Sequence, residues 1–146
     1  MTKQNPSHLL TATARIQVRF NECDPLGIVW HGNYVKYFED GREAFSEKHG
    51  LDYLAIYNNG YATPVVKMHC DFKKVLRYKE VALVETTLRK TEAAKIIFDY
   101  VMRRESSGEI VCIGNTTQVF VENGSMQLTL TVPEIYNAWK KTIGWI

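Results

Sequence analysis

Residues 23–34 combine side-chain types that could act on a carbonyl group. Asp24 supplies a carboxylate within a turn-forming sequence that also contains Pro25 and Gly27. His31 stands just before a predicted helix start, whose backbone N–H groups could hold an oxygen as it gains negative charge. The pattern therefore suits a site for attack on a carbonyl but does not distinguish it from a structural turn. The alternative interpretation is an ordinary turn, because Asp, Pro and Gly are common turn residues.

Neighbouring side chains offer competing chemistry. Cys23 and His31 could form a nucleophilic pair, although adjacent residues of an extended segment, such as Cys23 and Asp24, point to opposite sides. Glu39 is a second carboxylate in the predicted helix and is interpreted as a structural partner, for example of Arg42. The three cysteines and four histidines lack the close spacing of metal ligands, so no metal site is predicted.

Length and composition predict one globular domain. The chain has 146 residues, and we expect a single domain over residues 1–146 with a loose N-terminal tail at residues 1–12. A net charge of +2 gives no support for nucleic acid as a partner. No apolar run is long enough for a membrane span, and the polar N-terminus does not resemble a signal peptide. Three widely spaced cysteines fit a reducing cytoplasm.

Hydrophobic periodicity predicts an α+β arrangement of elements. A half-buried strand comes first, then a long helix, four more strands and a short helix that follows a sequence similar to a capping box at residues 131–134. The predicted ranges are residues 14–20, 33–48, 61–75, 81–88, 95–104, 110–121 and 131–143. The first strand carries Ile16, Val18 and Phe20 on its apolar, core-facing side, and in the second strand apolar residues alternate with polar ones at Val66, Met68, Cys70 and Phe72. One helix followed by successive antiparallel strands indicates a helix packed on one sheet.

The long predicted helix carries its apolar residues on one face. The face comprises Tyr34, Tyr37, Phe38, Gly41 and Phe45. Its glycine should allow close approach to a sheet, at a cost of about 1 kcal/mol in helix propensity. Asn33 is the predicted N-cap and Gly50 the predicted end.

The N-terminal third of the chain resembles the 4-hydroxybenzoyl-CoA thioesterase family, which includes the bacterial acyl-CoA thioesterases associated with the Tol–Pal system. This resemblance implies a hot-dog fold, in which an antiparallel β-sheet wraps around a long central α-helix. It also implies hydrolysis of an acyl-CoA thioester to the free acid and CoA. The matching residues are Arg19, Phe20, Asp24, Gly27, Val29, Asn33, Tyr34, Phe38, Glu39 and Arg42.

The same resemblance assigns roles at the predicted site. Asp24 would be the catalytic carboxylate, acting either as a nucleophile or as a general base. Backbone N–H groups from His31 to Asn33 would polarise the thioester carbonyl. The His31 side chain could orient Asp24, contact the thioester or protonate the leaving thiolate. Gly32, Asn33 and Tyr34 are the candidates for oxyanion or substrate positioning; a role of Tyr34 in core packing is the alternative.

A basic segment follows in the third predicted element. Residues 67–79 hold five Lys or Arg residues and one acid. We expect Lys73, Lys74 and Arg77 to contact the phosphates of CoA, since clustered cations suit phosphate. The alternative is a set of solvated strand ends that discourage aggregation.

The resemblance further implies an assembly and a substrate carrier. We expect a homodimer, or a homotetramer built as a dimer of dimers, in the cytoplasm, with no cofactor beyond the CoA of the substrate. An acyl-carrier-protein thioesterase is the first alternative, because the basic segment could dock an acidic protein. An acyl-CoA-binding module with little turnover is the second. The acyl group is not predicted.

Overall fold

In a computed structural model that describes residues 9–146, a curved antiparallel sheet packs against one long helix. The elements are β1 (Thr11–Gln17), α1 (Asn33–His49), α2 (Tyr53–Asn58), β2 (Tyr61–Ala62), β3 (Val65–Phe72), β4 (Val81–Leu88), β5 (Lys95–Arg104), β6 (Ile110–Glu122), β7 (Leu128–Thr129) and α3 (Glu134–Thr142). The main strands run in the order β1-β4-β5-β6-β3, and the two-residue strands β2 and β7 pair with the end of β6. This arrangement confirms the predicted hot-dog fold of the α+β class.

The central helix α1 packs on the sheet through the predicted apolar face. All five residues of that face are buried, and the Phe38 ring stacks on Tyr100 at 4.2 Å between ring centroids. Gly41 lies directly against Thr86 of β4, with no room for a side chain. The helix ends at Gly50, whose φ of 71° is readily adopted by glycine, as predicted.

The start of α1 differs from the predicted cap. The N-cap is Gly32, and Asn33 is the first helical residue. The Asn33 amide does not cap the helix because it donates a hydrogen bond to the Glu22 carbonyl at 2.8 Å.

The first strand lies earlier than predicted. It begins at Thr11, so Thr11 and Ala12 belong to the sheet and not to a tail; residues 1–8 of the predicted tail lie outside the described residues. It ends at Gln17, and Phe20 begins a 3₁₀ turn with 78% of its surface exposed. The prediction that Phe20 faces the core was therefore wrong, because the turn interrupts the alternation.

Three further elements differ from the predicted pattern. The strand predicted at residues 61–75 is divided at Thr63 and Pro64 into β2 and β3, since proline has no N–H for a sheet ladder. α3 begins after Pro133 without a side-chain cap, so the predicted capping box was wrong. The short helix α2 was not predicted; the Asp52 carboxylate caps its first N–H groups, from Leu54 and Ala55.

The strand β3 is exposed along almost its whole length. Of its eight residues only Cys70 is partly buried, and Val66, Met68 and Phe72 are 58%, 43% and 53% exposed. Sequence alternation had predicted a half-buried strand, but β3 pairs only with β6 and forms one edge of the sheet. None of the helices within residues 9–146 has the length and apolarity needed to cross a membrane.

Candidate active site

A tight turn fixes the position of Asp24. The Asp24 N–H donates to the Ile28 carbonyl at 2.8 Å, and the Gly27 N–H donates to the Asp24 carbonyl at 2.9 Å. Gly27 has a φ of 78°, a conformation that favours glycine. The Leu26 N–H donates to Oδ1 of the Asp24 carboxylate at 2.8 Å. This bond orients the carboxylate, and Oδ2 has no partner among residues 9–146.

The helix start offers two backbone donors close in sequence to this turn. The Asn33 N–H donates a hydrogen bond to the Trp30 carbonyl at 2.9 Å, and the Tyr34 N–H donates one to the His31 carbonyl at 3.2 Å. The N–H groups of His31 and Gly32 have no hydrogen-bond partner within the described chain. The predicted set of donors from His31 to Asn33 is thus narrowed to His31 and Gly32, at the positive end of the α1 dipole.

A cavity of about 260 Å³ joins the turn, the helix start and the end of β3. It brings together five of the residues predicted from sequence, and its remaining walls are mainly apolar. The residues that line it are Asp24, Ile28, Val29, His31, Tyr34, Phe72, Lys73, Lys74 and Val75. A carboxylate and residues of the helix start therefore border one small open cavity, an arrangement that suits attack on a carbonyl.

His31 lies in the same cavity but does not touch Asp24. Its side chain is exposed and packs against the Trp30 ring at 5.1 Å between centroids. No hydrogen bond and no ion pair within 4.0 Å joins His31 to the Asp24 carboxylate. The orientation of Asp24 comes from the Leu26 N–H instead, which leaves the imidazole free to meet a ligand.

Gly32 and Asn33 serve the local backbone. A Cβ at Gly32 would overlap the Trp30 ring, with Cε3 at 2.7 Å. The position of this ring therefore accounts for a residue without a side chain at position 32. The Asn33 side chain is 7% exposed and is turned to Glu22, so it is not presented to the cavity.

Tyr34 forms part of the buried wall. It is 3% exposed, and its ring meets Phe72 edge-on at 4.9 Å between centroids. Burial, with the nearby thiols of Cys112 and Cys70, raises the pKa of Tyr34 to about 12. The phenol is thus neutral at physiological pH, and Tyr34 both packs the core and lines the cavity.

The basic segment places two lysines at the cavity. Lys73 and Lys74 are exposed, and both of their backbone N–H groups donate to the Val111 carbonyl, at 2.9 and 3.1 Å. Arg77 is also exposed, but it does not line the cavity; its backbone forms a bridge with Ile28. The structure thus brings Lys73 and Lys74 to the site and leaves Arg77 beside it.

Arg104 supports this segment from β5, which sequence reasoning missed. Its guanidinium donates to the Val75 carbonyl and forms ion pairs with Glu80 at 2.6 Å and Glu109 at 3.1 Å. The side chain is 15% exposed, so these contacts are shielded from water. From sequence alone, a basic residue at the end of a strand does not indicate a contact with a loop almost thirty positions earlier in the chain.

The competing candidates lie elsewhere. Glu39 is outside the Asp24 cavity and approaches Arg42 at 3.7 Å, in agreement with its predicted structural role. The Cys23 thiol donates to the Arg19 carbonyl at 3.7 Å and does not line the cavity. Across residues 9–146 no group of three His, Cys, Asp or Glu side chains is arranged to hold a metal ion.

Comparison with known proteins places this site in a family. Residues 18–139 match the model of the thioesterase-like superfamily. The chain is 30% identical to "Putative acyl-CoA thioesterase YneP" of Bacillus subtilis over 129 residues, which cover 86% of this chain and 93% of the relative. It is 24% identical over 131 residues to the 4-hydroxybenzoyl-CoA thioesterase of Pseudomonas sp. strain CBS-3, covering 85% of this chain and 93% of that enzyme.

A solved structure agrees with the fold. The DHNA-CoA thioesterase from Staphylococcus aureus superposes with a TM-score of 0.80 at 25% identity, and the match covers 90% of each chain. With the sequence match over residues 18–139, this likeness shows that the chain belongs to the thioesterase-like superfamily of hot-dog proteins.

Proposed function

We propose that this protein is an acyl-CoA thioesterase, which hydrolyses an acyl-CoA to a carboxylic acid and free CoA. One observation carries the proposal. A carboxylate with one unengaged oxygen lies in the same cavity as His31, and the N–H groups of His31 and of the adjacent Gly32 are unengaged within the described residues. Family membership and the names of the relatives support the same reaction.

In the proposed reaction the thioester carbonyl oxygen approaches the N–H groups of His31 and Gly32. Asp24 either attacks the carbonyl carbon or removes a proton from an attacking water. In either route the C–S bond breaks and the sulfur leaves as a thiolate that takes up a proton. Where Asp24 attacks, water then cleaves the acyl–Asp24 anhydride, so that in both routes the hydroxyl of water ends in the acid. Donors of this kind typically contribute about 3 kcal/mol each to lowering the barrier. We assign protonation of the thiolate to His31, and the position of this residue in the cavity lining supports the assignment.

CoA is the proposed carrier. Lys73 and Lys74 stand exposed at the cavity rim, where they can meet phosphate groups while the acyl thioester lies inside. Arg77 is a candidate for a more distant phosphate contact. Neither the proposed reaction nor substrate binding uses a metal or redox cofactor, and we propose a reducing cytoplasmic setting for the three free cysteines.

We also propose that two copies associate through the edge strand β3. Its free edge presents unpaired backbone groups, and its apolar side chains at Val66, Met68 and Phe72 are exposed. Phe72 lines the candidate cavity, so a second copy on this edge would also enclose the site. A dimer of two such dimers is the expected larger assembly.

The first experiment measures thiol release from a panel of acyl-CoAs by wild type and Asp24→Asn. Asparagine can still accept the Leu26 N–H, so the turn is retained while the charge is lost. We expect kcat to fall at least 100-fold, about 2.7 kcal/mol of barrier. Asp40→Asn, an exposed acid on another face of α1, is the matched control and should retain activity.

The outcomes separate the alternatives. Equal rates for wild type and Asp24→Asn would reject Asp24 as the catalytic carboxylate. Faster cleavage of acyl-carrier-protein thioesters than of CoA thioesters would favour the carrier-protein enzyme. Tight acyl-CoA binding without thiol release would favour a binding module. An early excess of free thiol over free acid would indicate a covalent intermediate on Asp24, whereas equal release supports attack by water.

The assembly is tested by light scattering after gel filtration. Met68→Asp should produce monomers, because it places a charge in the proposed interface. Thr13→Asp adds the same charge to an exposed position of β1 and should leave the assembly unchanged. A monomeric wild type would reject the proposed association.

A further inference from the structure

The carbonyl of Glu22 accepts two hydrogen bonds from the segment that leads into α1. The Trp30 N–H donates to it at 2.9 Å, and the Asn33 side-chain amide donates to it at 2.8 Å. Glu22 and Asn33 are each only 7% exposed, so water competes little for the groups that form these two bonds. The Glu22 side chain is itself held, since its carboxylate accepts the Arg19 N–H at 2.8 Å.

These bonds join the two halves of the candidate active site. Glu22 precedes Asp24 by two residues, and Asn33 directly follows the donor positions His31 and Gly32. Within residues 9–146, the Asn33 amide forms the side-chain hydrogen bond that ties the first turn of α1 to the loop bearing Asp24. The distance between the carboxylate and the helix N–H groups therefore depends on this amide.

We propose that Asn33 is a positioning residue, which sets the spacing between the Asp24 carboxylate and the N–H groups of His31 and Gly32. The role rests on the proposed thioesterase function. An attacking oxygen must lie about 3–3.5 Å from the carbonyl carbon while the carbonyl oxygen meets its donors, and a displacement of about 1 Å can cost 100-fold in rate. Asn33 acts through these groups and does not itself touch the substrate.

Kinetics of Asn33→Ala and Asn33→Ser provide the first test. Both variants remove the amide donor, and we expect kcat to fall between about 10- and 100-fold with KM changed less than about 3-fold. Asn123→Ala is the matched control, because the Asn123 amide likewise donates to a backbone carbonyl, that of Tyr57 at 2.9 Å, and does not line the cavity. Its kcat should stay within about 3-fold of wild type.

A double-mutant cycle with Asp24→Asn shows whether Asn33 acts through Asp24 or independently. If Asn33 serves to place the carboxylate, Asn33→Ala should lower the residual rate of Asp24→Asn much less than it lowers the wild-type rate. A rise in KM with unchanged kcat would indicate direct substrate binding and overturn the proposal. The same fold-loss in both backgrounds would also overturn it.

Hydrogen exchange gives a readout that does not need turnover. In both Asn33 variants, amide exchange should accelerate in residues 20–30, whereas β4, β5 and β6 keep the exchange rates of wild type. If the wild type cleaves no thioester, the proposed function fails while this measurement still tests the link to the loop. Unchanged exchange in residues 20–30, or equal acceleration throughout the sheet, rejects the positioning role.

Discussion

Replacing Gly41 by alanine should destabilise the protein even though alanine is the better helix former. The added methyl group would overlap Thr86 Oγ1 and lie 3.0 Å from Cγ1 of Val84, both on β4. Overpacking of this kind costs about 1–3 kcal/mol, whereas the gain in helix propensity is about 1 kcal/mol. We therefore expect a net loss of about 1 kcal/mol in the free energy of unfolding.

Thermal unfolding measures this loss. A chain of 146 residues has an unfolding entropy of about 0.3 kcal/mol/K, so 1 kcal/mol corresponds to a fall in Tm of about 3 °C. Wild type and Gly41→Ala must be compared at one protein concentration, because association also shifts Tm. Glu43→Ala, on the exposed face of α1, is the control and should change Tm by less than about 2 °C.

The Thr86→Ala background supplies the decisive comparison. Thr86→Ala removes the atom that the new methyl group would meet, together with a buried hydroxyl that has no partner within the described residues. In that background Gly41→Ala should raise Tm, because the gain in helix propensity is then less opposed by the clash. A higher Tm for Gly41→Ala alone, or the same loss in both backgrounds, would refute the reasoning.

Three further predictions concern binding, pH and thiol reactivity. The double variant Lys73→Ala/Lys74→Ala removes both rim lysines and should raise KM for acyl-CoA about 5-fold at low salt, with little change in kcat. A short thioester without phosphates should show no such rise in KM. Equal effects on both substrates would contradict a phosphate contact. Burial lowers the pKa of Lys140, so folding opposes its charge, and wild-type stability should increase as pH rises from the folded pKa toward the ordinary lysine value. Lys140→Met should therefore raise Tm at pH 7, and this gain should shrink over the same pH range and be lost above about pH 10.5. Burial also raises the pKa of the Cys112 thiol, so a disulfide reagent should modify it only after unfolding; rapid labelling of the native protein, detected by peptide mass, would contradict its burial.

Local sequence signals predicted the loop and helix that carry the site. Pro25 and Gly27 marked the turn beside Asp24, and the periodic apolar face of α1 identified the helix and its end at Gly50. These features depend on residues close together in the chain, so sequence alone could indicate them. The neighbouring cap was not identified correctly, because the bond from Asn33 to Glu22 spans eleven residues.

Long-range contacts account for what sequence could not predict. Arg104 donates a hydrogen bond to the Val75 carbonyl, 29 residues earlier in the chain. Neither residue type indicates from sequence that this contact will form. The separation of His31 from Asp24 likewise depends on the three-dimensional path of the loop. For β3, alternation correctly shows which residues are apolar, but it does not show whether the same chain or a second copy covers them.

The hydrogen bond from Leu26 to Asp24 has a consequence for the entropy of the reaction. By fixing one carboxylate oxygen within the turn, it removes rotamer freedom from Asp24 when the chain folds and before any substrate arrives. In the proposed reaction, the ordering of the Asp24 side chain thus belongs to the free energy of folding and does not add to the activation barrier. A shorter or more mobile turn would leave the same carboxylate present but would require each turnover to select its productive rotamer.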